Sequence, residues 1–255
     1  MHLGQKFDLM KLAARASQEA GQRLLDRPKS YLHINALDAG DIKLQADVDS
    51  EILIRKILAE SKLPVIGEEQ GGDASLLSQD TFYWVIDPLD GTYNYVRDIP
   101  LCCVSIGLMK GKEPILGVIY DFNRNILYQG MDEGHLTINH KPCDHEWIKD
   151  QATGLLLSSL RYDNRQQKMV PGRFEHIHDD FKKVRFLGTA ALSLAWVAAG
   201  HAEGYKEFSV HLWDVAAGLA LMKASKGFFK MNFHSTYPFA LDCFASSNSE
   251  WLARF

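Results

Sequence analysis

The sequence predicts a mixed α/β fold built from two halves of one chain. Three observations predict this class. The first half places two segments of helical periodicity before a series of strand-like apolar runs, and the second half alternates strand and helix patterns. With 255 residues, of which 46% are hydrophobic and 24% charged, the chain is also long enough to bury a large core.

Two helices are predicted before the first strands. Across residues 6–26 apolar and small residues recur at helical spacing, and Pro28 ends that pattern. A second helix is expected across residues 48–60, where isoleucines and leucines supply one apolar face.

Strands are predicted where β-branched and aromatic residues follow one another. In the first half these runs are residues 64–66, 82–86, 101–109, 115–121, 126–129 and 135–138. Pro88 is expected to break the ladder of the second of these strands, because proline has no N–H to donate.

A polar segment at 141–153, which contains Pro142, predicts the boundary between an N-terminal half (1–145) and a C-terminal half (146–255). Beyond it, strands are expected at 154–158, 184–187, 204–208 and 242–246, and helices at 189–199 and 213–225. The loop 163–173 is predicted to be the most mobile segment.

Charge and cysteine usage exclude several classes of protein. The formal net charge is −4, which gives no sign of the basic face that nucleic-acid binding needs. No apolar run approaches the ~20 residues of a membrane span, and no signal peptide is evident, so a cytoplasmic protein without a membrane partner is predicted. Four cysteines lack the spacing of a zinc site and are expected to be buried reduced thiols: Cys102, Cys103, Cys143 and Cys243.

The run 84–95, WVIDPLDGTYNY, carries the strongest functional signal. Asp87 and Asp90 lie where an apolar strand ends, and Gly91 and Thr92 then open the next segment with main-chain amides. Carboxylates bind hard divalent cations, and amides at a helix start attract anions. The run therefore predicts a site that holds phosphate against metal, although either aspartate alone also suits a helix N-cap.

Two further acidic positions lie at similar junctions. Glu68 and Glu69 follow a predicted strand in a glycine-bounded loop, and Asp214 stands at the start of an alanine-rich helix. Such ends of strands and helices can converge in space. The alternatives are surface loop charge for the two glutamates and an N-cap role for Asp214.

Three segments, taken together, resemble the inositol monophosphatase family of magnesium-dependent, lithium-sensitive phosphatases, which are related to fructose-1,6-bisphosphatase and the bisphosphate nucleotidases. They are 65–69 (VIGEE), 84–94 (WVIDPLDGTYN) and 213–218 (WDVAAG), in the family order. The resemblance implies a layered α-β-α-β-α sandwich, a site between the two halves, and a homodimer.

The resemblance also implies roles for individual residues. It implies a set of ligands for two or three Mg²⁺ ions: Glu68, Asp87, Asp90, Asp214 and the main-chain carbonyl of Leu89. It implies that the amides of Gly91 and Thr92 bind the phosphate, that Asp47 pairs with Thr92 to deprotonate the attacking water, and that Li⁺ inhibits by replacing the second Mg²⁺. Without the resemblance, Asp47 reads as an N-cap of the second helix.

The substrate implied by the resemblance is an inositol monophosphate. Its pocket would be lined by Asp90, Gly91, Thr92, Gly188, Thr189, Ala190, Glu207 and Asp214. Glu207 has the spacing of a family glutamate that accepts hydrogen bonds from inositol hydroxyls, and its alternative is a surface charge at a sheet edge. The alternative functions are a fructose-1,6-bisphosphatase, a 3′-phosphoadenosine 5′-phosphate phosphatase, and a regulatory binding protein with a vestigial site.

Overall fold

Two β-sheets organise the chain in a computed structural model. The residues that this structure describes are 1–26, 34–38, 41–145, 147, 154–159, 162–163, 168–169 and 181–252. One sheet has seven strands and the other has five, and helices pack against both. The mixed α/β class predicted from the sequence is confirmed.

In the described residues of the first half there are three α-helices and nine strands. The helices are α1 (Leu3–Leu25), α2 (Gln45–Leu58) and α3 (Thr92–Val96). An antiparallel hairpin pairs β1 (Ile34–Asp38) with β2 (Asp41–Leu44). The seven-stranded sheet follows chain order: β3 (Val65–Gly67), β4 (Phe82–Asp90), β5 (Cys103–Lys110), β6 (Glu113–Asp121), β7 (Ile126–Met131), β8 (Thr137–Ile138) and β9 (Lys141–Pro142).

The second half carries the five-stranded sheet, in the order β13-β10-β14-β16-β15. Its strands are β10 (Leu155–Ser158), β13 (Lys183–Phe186), β14 (Gly204–His211), β15 (Phe228–Phe233) and β16 (Ala240–Ser246). A separate short pair is formed by β11 (Tyr162–Asp163) and β12 (Lys168–Met169). The helices are α4 (Ala190–Ala198), α5 (Leu212–Ala224) and α6 (Ser249–Leu252).

These elements stack as α-β-α-β-α layers. Helices α1 and α2 cover one face of the seven-stranded sheet, whereas α4 and α5 lie between the two sheets, and α6 contacts β15 and β16. The strands alternate accordingly, since Trp84 packs toward α1 and α2 while Tyr83 packs toward α4 and α5. Cys102 and Cys103 likewise join different cores, as expected for adjacent residues of an extended segment.

Helix α5 lies unusually close to the seven-stranded sheet. A Cβ atom on Gly107 would come within 2.9 Å of the Ala217 nitrogen, and one on Gly117 would come within 2.1 Å of the Ala217 carbonyl oxygen. Only glycine permits such close approach of two backbones. This contact fixes where α5 begins relative to β4 and β5, and so determines part of the site described below.

Several predicted boundaries need correction. Strand β4 does not stop before Pro88 but continues to Asp90, with a β-bulge between Asp87 and Asp90. Helix α2 begins at Gln45, three residues earlier than expected, and strand β15 was not predicted at all. The chain also continues past the last predicted strand into α6.

All four cysteines are free thiols, with Cys143 only partly buried and the other three buried. Among the described residues, no helix is both long and apolar enough to cross a bilayer. The predicted loop 163–173 lies mostly outside the described residues, and the division at 145/146 remains a prediction.

Candidate active site

A β-bulge at the end of β4 brings Asp87 and Asp90 to the same face of the sheet. Residues three apart on a regular strand point to opposite faces. Here Asp87 pairs with Ser105 and Asp90 with Cys103, two residues apart on β5, so the bulge at Pro88 and Leu89 changes the alternation by one. Both aspartates are buried.

Glu68 reaches the same place from the neighbouring strand. Strand β3 runs parallel to β4, with Gly67 opposite Ile86, and the N–H of Glu68 donates to the Ile86 carbonyl at 3.3 Å. Glu68 therefore begins the loop beside Asp87. The sequence predicted this convergence only in general terms, because strand ends gather functional groups.

Asp214 approaches from the layer between the sheets. Ser105, which pairs with Asp87, donates its hydroxyl to the Trp213 carbonyl at 3.4 Å and so joins β5 to the start of α5. Asp214 is the third residue of that helix rather than its N-cap, and its Oδ2 accepts the N–H of His211, which is the N-cap, at 2.9 Å. The side chain thus stabilises the helix start, and its charge acts on both aspartates of β4.

Burial, reinforced by mutual repulsion, raises the pKa values of the two aspartates of β4. Burial raises the pKa of Asp87 well above its usual range, and the charges of Glu68, Asp90 and Asp214 raise it further. Burial and the charge of Asp214 raise the pKa of Asp90 to about 7, although hydrogen bonds from Thr189 and from the Ala191 N–H oppose that rise. Four acidic groups from three parts of the chain therefore act on one another, and two of them, Asp87 and Asp90, are buried.

The donor set suits a hard divalent cation. Carboxylate and carbonyl oxygens are the ligands that Mg²⁺ prefers, and a bound cation would compensate the repulsion that raises these pKa values. Within the described part of the chain, no three His, Cys, Asp or Glu side chains are already arranged as a coordination sphere. One oxygen of Asp87 accepts the Leu89 N–H and one oxygen of Asp214 accepts the His211 N–H, so main-chain contacts hold both side chains in place.

Thr189 supports Asp90 rather than simply lining a pocket. Its buried hydroxyl donates to Asp90 Oδ2, which also accepts the Ala191 N–H at 2.7 Å. The same hydroxyl oxygen accepts the N–H of Leu192 at 3.3 Å, so Thr189 caps helix α4. Gly188 precedes it at φ +72°, a conformation that favours glycine.

We expect Thr189→Val to lower kcat/KM by about tenfold or more, since a hydrogen bond to a charged group contributes roughly 1.5–3 kcal/mol. Thr189→Ser keeps the hydroxyl and is expected to stay near wild type. Steady-state kinetics of the two variants, with their melting temperatures, checks this. Equal activity of both variants would contradict the assigned role.

Asn94 joins the two halves next to the site and was not among the predicted site residues. Its Nδ2 donates to the Leu101 carbonyl at 2.7 Å and to the Leu187 carbonyl at 2.8 Å. It thereby holds α3 against the segment that leads to Gly188. The available signal was its place in the 84–94 motif, where an amide can bridge two carbonyls.

Gly91 is the N-cap of α3, which begins at Thr92 directly after β4. Gly91 adopts φ +93°, and a Cβ there would lie 2.7 Å from the Leu101 carbonyl oxygen, so the turn requires glycine. The Thr92 hydroxyl donates to the Leu89 carbonyl at 3.0 Å. Asp47 is the third residue of α2 rather than its N-cap, is buried, and accepts the Leu44 N–H at 3.1 Å.

Glu207 is a buried residue of an interior strand. Strand β14 lies between β10 and β16, so the alternative of a surface charge at a sheet edge is wrong. The Tyr205 hydroxyl donates to Glu207 Oε2 at 2.6 Å. The charge of Glu207 also raises the pKa of Asp90. Ala190 is buried beside Thr189.

Comparison with known proteins identifies the family. The model of the inositol monophosphatase family matches residues 7–253. The chain belongs to this family. Its members are phosphatases that act on small phosphate esters and generally use Mg²⁺, and this family member is accordingly a phosphatase.

Individual relatives carry different names. The chain is 33% identical over 228 residues to Nus factor SuhB of Xylella fastidiosa, covering 85% of this chain and 79% of that protein. It is 29% identical over 235 residues to fructose-1,6-bisphosphatase/inositol-1-monophosphatase of Aquifex aeolicus, covering 90% and 87%. The solved structure of inositol monophosphatase from Anabaena superposes with a TM-score of 0.78 at 31% identity, covering 96% and 93%.

Proposed function

We propose that this family member hydrolyses an inositol monophosphate to inositol and phosphate in a Mg²⁺-dependent reaction. The observation that supports this most is that the charges of Glu68, Asp90 and Asp214 all act on Asp87, while Asp87 and Asp90 are themselves buried directly before the Gly91–Thr92 turn. Such a cluster of like charges opposes folding unless it binds something positive. The family membership supports the reaction class.

In this proposal the chain supplies oxygen ligands from four carboxylates and one carbonyl, that of Leu89. A carbonyl oxygen has two lone pairs, so Leu89 can accept the Thr92 hydroxyl and still serve as a ligand. Bound Mg²⁺ would acidify a coordinated water and stabilise the leaving oxygen. The amides of Gly91 and Thr92 would hold the phosphate, as main-chain N–H groups at a turn do.

We propose Asp47 and Thr92 as the pair that removes the proton from the attacking water. For this role Thr92 Oγ1 must turn from the Leu89 carbonyl toward Asp47, and then pass its proton to that carboxylate as it receives one from water. A general base of this kind contributes roughly 10²–10⁴-fold. The burial of Asp47 supports a functional reason for keeping a carboxylate there.

Glu207 is the proposed acceptor for substrate hydroxyls. A carboxylate accepts hydrogen bonds from a polyol, and the Tyr205 hydroxyl fixes one of its oxygens at 2.6 Å. Its charge also acts on Asp90, which is consistent with a place in the same pocket. Thr189 and Gly188 are proposed to shape the same pocket through Asp90 and Asn94.

The names of two relatives support alternative functions for this chain. The Aquifex protein is named for fructose-1,6-bisphosphatase activity as well, and the Xylella protein is named as a Nus factor. A fructose-1,6-bisphosphatase or a regulatory protein is therefore the second candidate function. A 3′-phosphoadenosine 5′-phosphate phosphatase, a homodimer and a cytoplasmic location remain predictions.

The test compares phosphate release from inositol 1-phosphate, fructose 1,6-bisphosphate and 3′-phosphoadenosine 5′-phosphate, with Mg²⁺ and with EDTA. We expect the highest kcat/KM for inositol 1-phosphate, loss of activity in EDTA, and inhibition by millimolar Li⁺. A higher kcat/KM for either other substrate overturns the substrate assignment. No release from any of them would favour the regulatory alternative.

A further inference from the structure

We propose that Glu51 and Arg55 of helix α2 are positioning residues for Glu68, because together they clamp the loop 67–71 that carries it. The inference rests on the proposed function only in taking Glu68 as a metal ligand. Neither residue belongs to the acidic cluster described above, and neither was singled out by its sequence pattern.

Glu51 holds the main chain directly after Glu68. Its side chain is fully buried. Oε2 accepts the N–H of Glu69 at 2.8 Å, and Oε1 accepts the N–H of Gln70 at 3.0 Å. A carboxylate that accepts two successive amides fixes the direction of the chain there, and hydrogen bonds to a charged acceptor are among the stronger ones.

Arg55 joins the two ends of the same loop. Its Nε donates to Glu51 Oε1 at 2.8 Å, one turn earlier on the helix. Its Nη1 donates to the Val65 carbonyl at 3.2 Å and its Nη2 to the Gly71 carbonyl at 2.9 Å. The guanidinium therefore compensates the buried carboxylate and ties the end of β3 to the far side of the loop.

Gly67 makes this arrangement possible. A Cβ atom at that position would lie 2.6 Å from Glu51 Oε1, so any side chain would displace the carboxylate. The N–H of Gly67 also donates to the Gly71 carbonyl at 3.0 Å, closing the loop on itself. Glu68 thus lies between main-chain positions that are held on both sides.

The clamp formed by Glu51 and Arg55 explains how the glycine-rich loop 67–71 can hold the Glu68 carboxylate in one position. Gly67, Gly71 and Gly72 would otherwise leave the loop many conformations, and ordering it on metal binding would cost free energy. A loop ordered in advance lowers that cost. Residues that orient a ligand in this way typically change metal affinity by about 10–100-fold when mutated.

The test measures hydrogen exchange in the metal-free protein and the Kd of the protein for Mg²⁺. For Glu51→Gln we expect faster hydrogen exchange at the amides of residues 69 and 70, and a Kd for Mg²⁺ alone, measured by calorimetry, raised about tenfold or more. Saturating Mg²⁺ is expected to restore most of kcat. The matched control is Glu60→Gln, which removes an exposed glutamate that pairs with Arg15 and should change neither property.

Two further variants keep the outcomes distinct. Arg55→Gln should likewise speed hydrogen exchange at residues 69 and 70 and raise the Kd for Mg²⁺. It replaces Glu51→Gln if that variant does not fold. Glu68→Gln tests the ligand itself. If Glu68→Gln weakens Mg²⁺ binding while the folded clamp variants bind Mg²⁺ as wild type does, the clamp proposal is overturned. If Glu68→Gln leaves the Kd unchanged, the ligand assignment in the proposed function fails instead, whatever the exchange rates are.

Discussion

Replacing Asp87 by asparagine is expected to lower kcat/KM by about 10³-fold while raising the melting temperature of the metal-free protein. Asp87 is the carboxylate that interacts with all three other acidic residues of the cluster. In the proposed function it is a metal ligand at the centre of the acidic cluster, so its loss is expected to weaken metal binding more than the loss of any other single ligand.

The melting temperature of the metal-free protein is expected to rise although activity falls, because the charge of Asp87 is unfavourable when no metal is bound. Burial and three neighbouring carboxylates raise the pKa of Asp87, which means that its ionised form opposes folding near neutral pH. Asparagine keeps the size and can still accept the Leu89 N–H through Oδ1, the bond that Asp87 makes at 2.9 Å. We expect a gain of about 3–8 °C in EDTA.

Addition of Mg²⁺ should reverse the order of the two melting temperatures. Wild type gains stability from a ligand that binds only the folded state, whereas Asp87→Asn gains little. The control is Asp80→Asn, since Asp80 is exposed and pairs with Lys110 at the surface. A variant at position 87 that keeps wild-type kcat/KM would contradict the proposed mechanism, and one that is destabilised in EDTA would contradict the electrostatic argument.

Gly117→Ala is expected to give the largest loss of stability, about 3 kcal/mol or more. The added Cβ would lie 2.1 Å from the Ala217 carbonyl oxygen, a backbone atom that cannot give way as the end of a flexible side chain can. Helix α5 must therefore shift away from β6. For a chain of this length the melting temperature should fall by about 6–12 °C.

The same substitution should weaken Mg²⁺ binding, because α5 carries Asp214 at its start. Gly4→Ala is the matched control: its Cβ would meet only the His2 ring, at 3.3 Å, and alanine suits the first turn of α1. Calorimetry measures the Kd for Mg²⁺ of both variants, and thermal unfolding measures their melting temperatures. A melting temperature of Gly117→Ala within a degree of wild type would show that the helix and sheet do not contact as described.

Local patterns predicted most helices and strands because each carries its own periodicity. Helix α5 is nearly all apolar and small, which suits a layer buried between two sheets. Strand β15 was missed since its residues alternate between exposed and half-buried positions at an edge of the sheet, where the strand signal is weak. The start of α2 was misplaced because Asp47 suits both the N-cap and the third helical position.

The site was predicted less completely, for a physical reason. The acidic residues could be named from their motifs, but the bulge that brings Asp87 and Asp90 to one face leaves no mark in local composition beyond Pro88. The hydrogen bonds of Asp90 to Thr189 and of Glu51 to the loop join residues that are distant in sequence. Such pairings arise from packing of the layers, which a single sequence does not encode in any short pattern.

The most direct measurement is a crystal structure of the wild-type protein grown with Mn²⁺, with anomalous difference maps recorded near the manganese edge. We expect peaks within about 2–2.5 Å of carboxylate oxygens of Asp87, with Glu68 on one side and Asp90 and Asp214 on the other. Density that lacks any peak at this cluster under saturating Mn²⁺, or peaks bound only elsewhere on the chain, would contradict a metal-dependent active site built from these four residues.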